Sequence, residues 1–149
     1  MKIQTSGFFA AAHFLSDYEG KCKNIHGHEY AYFIEADAID VDKQGMVFDF
    51  GLVKKLFDHK LIIQKKELPF FDTKFKDRFE IFVMSKNPTA ENMVELVAKK
   101  LVNEEHIDKV KVRIWEDVKS LIDENKLKKG EGEFVEVTKS NIGDVEWVK

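Results

Sequence analysis

The sequence is poor in the residues that mark several special classes of protein. Its 149 residues include one cysteine, two prolines and eight glycines, which excludes a disulfide scaffold, a collagen-like chain and a proline-rich tract. No stretch approaches the roughly 20 apolar residues that a membrane helix needs, and no basic segment followed by an apolar run opens the chain. We therefore expect a soluble, reduced, cytoplasmic protein with no membrane partner.

An excess of charge of one sign is also lacking. The 24 basic and 27 acidic residues leave a net charge of −3, which gives no broad attraction to phosphate backbones or anionic lipid. The sequence contains no glycine-rich phosphate loop, no serine nucleophile elbow and no basic stripe interleaved with aromatic residues. These absences disfavour nucleotide-fingerprint enzymes, and we expect no nucleic-acid partner.

What the chain does contain is enough apolar surface for one domain. Hydrophobic residues make up 44% of the sequence and charged residues 34%, and a compact fold of this length buries close to 70% of its unfolded surface. We find no internal repeat and no linker. Residues 1–149 are therefore predicted to form a single domain, with a surface loop at 65–76.

Hydrophobic periodicity predicts a mixed domain. Asp49 and Thr89 are predicted N-cap residues, and the helical spacing of apolar residues after each of them predicts two helices. Alternation or short apolar runs predict strands at 2–15, 28–39, 79–84, 108–116 and 134–138, with an extended piece at 46–48. Because two long strands come first, the order favours an antiparallel α+β domain over a βαβ repeat.

The sharpest local motif is His26-Gly27-His28. Residues two apart in a strand point to the same side, so both imidazoles emerge on one face, and His13 could supply a third nitrogen. Three imidazoles suit Zn²⁺ and leave a fourth position open for water or substrate. The alternative interpretation is an ordinary pair of surface histidines.

Two further sites could move protons. Cys22 lies between Lys21 and Lys23, and neighbouring cations favour the thiolate; the alternative is an ordinary loop cysteine. Asp58 precedes His59, and a carboxylate beside an imidazole can orient it for acid–base catalysis. Sequence neighbours in a helix do not face each other, however, so a histidine stabilised by the helix dipole is the alternative.

Glu116 continues the alternation of Val110, Val112 and Ile114. That parity puts a carboxylate on the apolar face of its strand, where carboxylates are rare unless they are paired or await a ligand. The alternative is that the strand ends one residue earlier and Glu116 turns into solvent.

Together these pieces resemble the 6-pyruvoyl-tetrahydropterin synthase family, which includes the 6-carboxytetrahydropterin synthases of queuosine biosynthesis. The resemblance covers about residues 3–116, and the tail at 127–149 has no assigned counterpart. The segments that carry it, in the family's order, are FAAAHFL at 9–15, GKCKNIHGHEY at 20–30, GMVFDF at 45–50, Asp58-His59, NPTAEN at 87–92 and VKVRIWE at 110–116.

The resemblance implies a role for each candidate residue. Zinc would be held by His13, His26 and His28. Cys22 would accept a proton, and His59, oriented by Asp58, would complete the proton relay. Glu116 would anchor the pterin ring, because a carboxylate can accept two N–H bonds from a planar ligand.

The implied fold is the tunnelling fold, here an antiparallel four-stranded sheet with two helices on one face. In such proteins the sheets close into a barrel between subunits, so the resemblance implies a homohexamer of two stacked trimers.

The implied reaction converts 7,8-dihydroneopterin triphosphate to 6-carboxy-5,6,7,8-tetrahydropterin, with release of acetaldehyde and triphosphate. The Cys-x3-His spacing resembles this carboxy branch of the family. The alternatives are a 6-pyruvoyl-tetrahydropterin synthase that eliminates triphosphate, a zinc hydratase or hydrolase, and a non-catalytic oligomer that binds pterin or metal.

Overall fold

A computed structural model of the chain describes residues 1–71, 78–117, 135–140 and 145–148. Short 3₁₀ turns occur at Lys21–Lys23 and Lys65–Phe70. The helices and strands, in chain order, are β1 (Lys2–His13), β2 (His26–Ala38), α1 (Leu52–Phe57), β3 (Lys60–Gln64), β4 (Glu80–Met84), α2 (Ala90–Val102), β5 (Ile107–Trp115), β6 (Val135–Ser140) and β7 (Val145–Val148). Within these ranges no helix has the length and apolarity to cross a membrane.

The strands form one seven-stranded sheet in the order β4-β3-β1-β2-β5-β6-β7. The pairs on the β2 side of β1 are antiparallel, whereas β1–β3 and β3–β4 are parallel. The predicted α+β class is confirmed. The predicted four-stranded antiparallel sheet is wrong in two respects: the sheet has seven strands among the described residues, and the edge formed by β3 and β4 is parallel. The predictions missed β3 because Leu61, Ile62 and Ile63 are consecutive and all buried; parallel strands covered on both faces carry such continuous apolar runs.

The hydrophobic core lies on one face of this sheet, and both helices pack there, as expected. The α1 residue Phe57 contacts Phe9 of β1 with ring centroids 5.4 Å apart. The α2 residues Val94 and Val97 are fully buried in the same cluster as Val112 of β5. The odd-numbered residues of β1 and the even-numbered residues of β2 and β5 therefore face the helices. A polar residue at one of these positions points to the core side of the sheet.

Some boundaries differ from the predictions. Asp49 is not the N-cap of α1: Gly51 occupies that position, and Asp49 Oδ1 accepts a hydrogen bond from the Gly51 N–H at 2.7 Å. The expected extended piece at 46–48 forms bends that bury Val47. In the expected loop at 65–76, Lys65–Phe70 is a 3₁₀ helix, and 72–77 lie outside the described residues. The predicted strand at 134–138 begins at Val135, with Phe134 outside the described residues.

The register between β1 and β2 determines what meets at the end of the sheet. Phe9 pairs with Tyr30, and two steps along, Ala11 pairs with His28. The C-terminal end of β1 therefore lies against the N-terminal end of β2. On the other side of β2, its Ala31 pairs with Trp115 at the end of β5. Three strand ends thus converge, each carrying a candidate residue.

Candidate metal centre

The three histidines meet on the core face of the sheet. His13 and His26 form a cross-strand pair in the antiparallel ladder, where directly opposed side chains are close neighbours. His28 follows two residues later on the same face. Their ring centroids are 4.6 to 5.2 Å apart, so the sequence-predicted set is brought together.

The ligand atoms of this cluster converge on a single point. His13 Nε2 lies 3.1 Å from His26 Nε2. Glu116 Oε1 lies 3.2 Å from His13 Nε2 and 3.1 Å from His28 Nε2. All four ligand atoms are within 4.8 Å of one another. Glu116 follows the last residue of β5, and its carboxylate turns to the apolar face as its parity predicts.

Backbone carbonyls fix the orientation of two of the rings. His13 Nδ1 lies 2.7 Å from the Pro88 carbonyl, and His26 Nδ1 lies 2.7 Å from the Asn24 carbonyl. A carbonyl oxygen only accepts, so each Nδ1 donates its proton to a carbonyl, and this leaves each Nε2 directed at the cluster. Carbonyl partners of this kind are typical of metal-binding histidines.

The donor set fits a zinc ion. Two Nε2 lone pairs and a carboxylate oxygen repel one another at about 3 Å unless a proton or a cation is shared between them. His28 Nε2 is buried and, although Glu116 Oε1 is 3.1 Å away, it makes no hydrogen bond among the described residues, as expected of a ligand atom that awaits a cation. Three imidazoles with one oxygen match the nitrogen and oxygen donors that Zn²⁺ prefers.

The ionisation states also suit a cation. Burial lowers the pKa of His28 against the opposing effect of Glu116, which favours the neutral ring. A hydrogen bond with His13 and the neighbouring imidazoles lower the pKa of Glu116, although burial works in the other direction. A neutral imidazole and an ionised carboxylate are the forms that bind metal.

Tyr30 contacts the cluster through His13 and was not predicted as a site residue. Its hydroxyl lies 3.3 Å from His13 Nδ1, and its buried ring stacks on Phe9 at 4.7 Å. Burial, with smaller contributions from Glu116 and Cys22, raises the pKa of this hydroxyl above its ordinary value. Tyr30 therefore stays protonated. The sequence signal for Tyr30 is its even-numbered position in β2, which puts it on the same face as His26 and His28.

Cys22 belongs to the loop that covers this end of the sheet. It lies in the short turn Lys21–Lys23 and is half-buried. Its carbonyl accepts a hydrogen bond of 2.8 Å from Leu15 N–H, which folds the loop back onto the end of β1. This contact places Cys22 at the same end of the sheet as His13.

Asp58 and His59 form a pair in the turn between α1 and β3. Asp58 Oδ2 lies 3.0 Å from His59 Nδ1, and Asp58 Oδ1 accepts a hydrogen bond of 3.0 Å from Ala10 N–H. Burial acts to raise the pKa of Asp58, but these hydrogen bonds outweigh it and lower that pKa. The ionised carboxylate is therefore placed to hold the His59 ring in one orientation.

This pair does not join the histidine cluster within one chain. The side chain of His59 is 84% exposed, and its backbone adopts a left-handed conformation with φ of 56°. Ala11 of β1 pairs with His28 on one side and with Lys60 on the other, so two strand spacings, about 10 Å, separate those backbones.

The chain matches the family described as 6-pyruvoyl tetrahydropterin synthase over residues 2–126. The chain belongs to that family. The match includes all seven residues predicted for the site.

Two curated relatives carry a more specific name. The 6-carboxy-5,6,7,8-tetrahydropterin synthase of Rickettsia bellii is 32% identical over 143 residues, covering 87% of this chain and 94% of the relative. The protein of the same name from Rickettsia conorii is 37% identical over 99 residues, covering 57% and 68%.

Two solved structures share the fold of this chain. The 6-pyruvoyl tetrahydropterin synthase of Plasmodium vivax superimposes with a TM-score of 0.57 at 15% identity, covering 94% of this chain and 98% of that one. An uncharacterized protein from Wolinella succinogenes also gives 0.57, at 17% identity, covering 80% and 94%.

Proposed function

We propose that this chain is a zinc-dependent 6-carboxy-5,6,7,8-tetrahydropterin synthase. Its substrate would be 7,8-dihydroneopterin triphosphate, and its products 6-carboxy-5,6,7,8-tetrahydropterin, acetaldehyde and triphosphate. The observation that carries the proposal is the convergence of three Nε2 atoms and one carboxylate oxygen within 4.8 Å. The names of the Rickettsia relatives support the carboxy product over the pyruvoyl product.

In this proposal His13, His26 and His28 hold the zinc. A bound Zn²⁺ would act as a Lewis acid toward the hydroxyl groups of the substrate side chain. The buried His13, 2% exposed, with its Nδ1 on a backbone carbonyl, gives this site one rigid ligand. The more accessible His28, whose side chain is 26% exposed, lies on the side from which a substrate approaches.

Cys22 and His59 would move the protons. Cys22 is half-buried in the turn between Lys21 and Lys23, and the family resemblance assigns its thiol the role of proton acceptor. The imidazole of His59 is oriented by the ionised Asp58 and is open to solvent, so it could exchange a proton with a substrate or with water.

A second copy of the chain would complete this relay. The side chain of His59 is 84% exposed, and its end of β3 is two strand spacings from His28, which leaves its ring available to a site on a neighbour. We therefore include a homo-oligomer in the proposal, with the hexamer of two trimers that the family resemblance implies. The apolar Phe8, 52% exposed on the sheet face opposite the helices, is consistent with coverage of that face by another subunit.

Glu116 would bind the pterin ring. Only Oε1 makes the two histidine contacts described above, and 44% of the side chain is exposed. An ionised carboxylate with an open side can accept the paired N–H groups of a 2-amino-4-oxo-pteridine. Binding in this manner would draw Glu116 away from the histidines toward the ligand.

One assay tests the proposed reaction against its alternatives. The purified chain, loaded with zinc, is incubated with 7,8-dihydroneopterin triphosphate, and the products are separated and identified. We expect acetaldehyde and a 6-carboxypterin in equal amounts. A pyruvoylpterin would assign the chain to the other branch of the family, hydrolysis of the triphosphate alone would indicate a zinc hydrolase, and no turnover would indicate a binding protein.

A further inference from the structure

The loop before α2 reaches back to the end of β1 through the side chain of Asn87. Asn87 Oδ1 accepts a hydrogen bond of 2.7 Å from Ser16 N–H, and Asn87 Nδ2 donates one of 3.0 Å to the Ser16 carbonyl. Both backbone groups of Ser16 are thus satisfied by one amide, across 71 residues of sequence. Ser16 is only three residues beyond His13, so this clamp fixes the chain that leaves the metal ligand.

The same loop also holds the ring of His13. The residue after Asn87 is Pro88, whose carbonyl is the 2.7 Å partner of His13 Nδ1. The Pro88 carbonyl is therefore attached, through one peptide unit, to the residue that clamps Ser16. Moving Asn87 would move both the backbone and the hydrogen-bond acceptor that together orient this imidazole.

Asn87 is in turn fastened to the first turn of α2. Its carbonyl accepts a hydrogen bond of 2.9 Å from Asn92 Nδ2 and one of 2.8 Å from Thr89 N–H. α2 spans 13 residues and buries one face against β5 and β6, so it is a rigid support. His26 differs, because its Nδ1 partner is Asn24, two residues away in the same loop.

We propose that Asn87 is a positioning residue for the metal centre, which it serves by fixing His13 to the N-terminal end of α2. This inference rests on the metal site of the proposed function but not on the reaction. Outer hydrogen-bond partners of metal ligands typically affect metal affinity by 10- to 100-fold. Asn87 controls one such partner and the adjacent backbone, so we expect an effect in that range.

The test compares Asn87→Ala with Asn103→Ala in the full chain. Asn103 is an exposed asparagine at the opposite end of α2, which makes it the matched control. Zinc dissociation constants are measured by competition with a chromogenic chelator. The absorption spectrum of the Co²⁺-loaded protein reports the ligand geometry, and the melting temperature of the metal-free protein reports stability.

We expect Asn87→Ala to bind zinc about 10- to 100-fold more weakly and to give an altered Co²⁺ spectrum, while Asn103→Ala matches the parent chain in both. A lower melting temperature with unchanged zinc affinity and spectrum would overturn the inference and make Asn87 a purely structural residue. If the parent chain binds no zinc, the metal part of the proposed function fails, and this inference fails with it. Zinc binding without turnover would refute only the proposed reaction.

A milder variant keeps the test decisive if Asn87→Ala does not fold. Asn92→Ala removes one of the two hydrogen bonds to the Asn87 carbonyl and leaves the Ser16 clamp in place. We expect it to weaken zinc binding in the same direction by a smaller factor, about two- to tenfold. Parent-like zinc affinity in a folded Asn92→Ala protein would count against the inference.

Discussion

The histidine cluster and the Asp58–His59 turn are attached to opposite edges of the same strand, β1, yet they are built differently. The cluster is enclosed: His13 is almost fully buried, and carbonyls of the same chain hold two of the rings. The Asp58–His59 pair is anchored through Ala10 on its carboxylate side, while its imidazole is 84% exposed.

This difference separates two tasks that the proposed reaction combines. A metal ion needs several ligand atoms held in fixed positions, which one chain can supply from adjacent strands. A proton donor needs access to the reacting group at the correct moment, and an exposed imidazole meets a ligand or another subunit more easily than a buried one. We therefore expect zinc binding to be a property of the single chain, and turnover to require an assembled protein.

The largest effect should come from removing a ligand from the enclosed cluster. We expect His26→Ala and His28→Ala each to lose stoichiometric zinc and all measurable turnover, while the fold survives, because a catalytic site contributes less folding energy than a structural one. Metal content by elemental analysis and far-ultraviolet circular dichroism check this. His59→Ala is the control and should retain full zinc; full occupancy in either ligand variant would remove that histidine from the site.

Part of the histidine cluster could be predicted from the sequence, and part could not. His26 and His28 lie two apart in a strand, and Glu116 continues the alternation of three buried residues, so the sequence predicted the face on which each side chain lies. The alternation left other interpretations open, and the family resemblance supplied the metal and pterin roles. The partners of the rings could not be predicted, because Pro88 and Asn24 contribute backbone carbonyls, which no residue type reveals. Asn87 lies 71 residues from Ser16, and no local pattern records a contact over that distance.

The fold was predictable to a similar extent. Strands with one exposed face, such as β2 and β5, show the period of two in their sequence, and α2 begins at the predicted cap Thr89. β3 lacks that period because its consecutive apolar residues are all buried. β3 was therefore missed although its neighbour β4 was predicted at 79–84, and with β3 went the parallel pairing that places His59 beside Ala10.

The second largest effect concerns proton transfer and tests whether it is shared between subunits. Cys22→Ala should keep zinc and lose about two to four orders of magnitude in turnover, the usual range for a general base. His59→Ala should behave in the same way. If the relay joins two chains, oligomers formed by mixing these two inactive variants should regain part of the parental rate.

The result of mixing separates the models cleanly. Recovery above the sum of the two variants requires that Cys22 and His59 act from different chains. No recovery from verified mixed oligomers would place the relay within one chain, and it would remove the main argument for a second copy. Loss of zinc from Cys22→Ala would instead identify the thiol as a metal ligand.

Glu116 lies at the border of the enclosed cluster and the open side, so its substitution tests which region it serves. Glu116→Gln keeps the size but replaces one acceptor with a donor, and we expect pterin affinity to fall by about 2–4 kcal/mol, roughly 30- to 1,000-fold. Zinc affinity should change far less. Titrations with pterin and with zinc measure the two effects, with Asp108→Asn at the exposed start of β5 as the control.

The opposite pattern would reassign this residue. Zinc affinity reduced as strongly as pterin affinity, or reduced alone, would make Glu116 a metal ligand through the oxygen that now faces His13 and His28. A lower melting temperature with both affinities unchanged would make it a member of a structural ion-pair network. The first outcome would assign Glu116 to the metal centre, and the second would assign it to the stability of the fold.

The smallest effect comes from Thr89, which stabilises the support of the cluster without orienting a ligand. Its Oγ1 accepts a hydrogen bond of 3.2 Å from Asn92 N–H at the start of α2. Thr89→Ala should lower the free energy of unfolding by about 1 kcal/mol, a shift of roughly 2–4 °C in melting temperature for a chain of this size, and Thr89→Ser should restore most of it. Because the Asn87 clamp and the Pro88 carbonyl remain, zinc affinity should equal that of the parent chain. If zinc affinity falls in proportion to stability, the metal centre responds to the strength of α2 as a whole, and the local role of Asn87 cannot be separated from it.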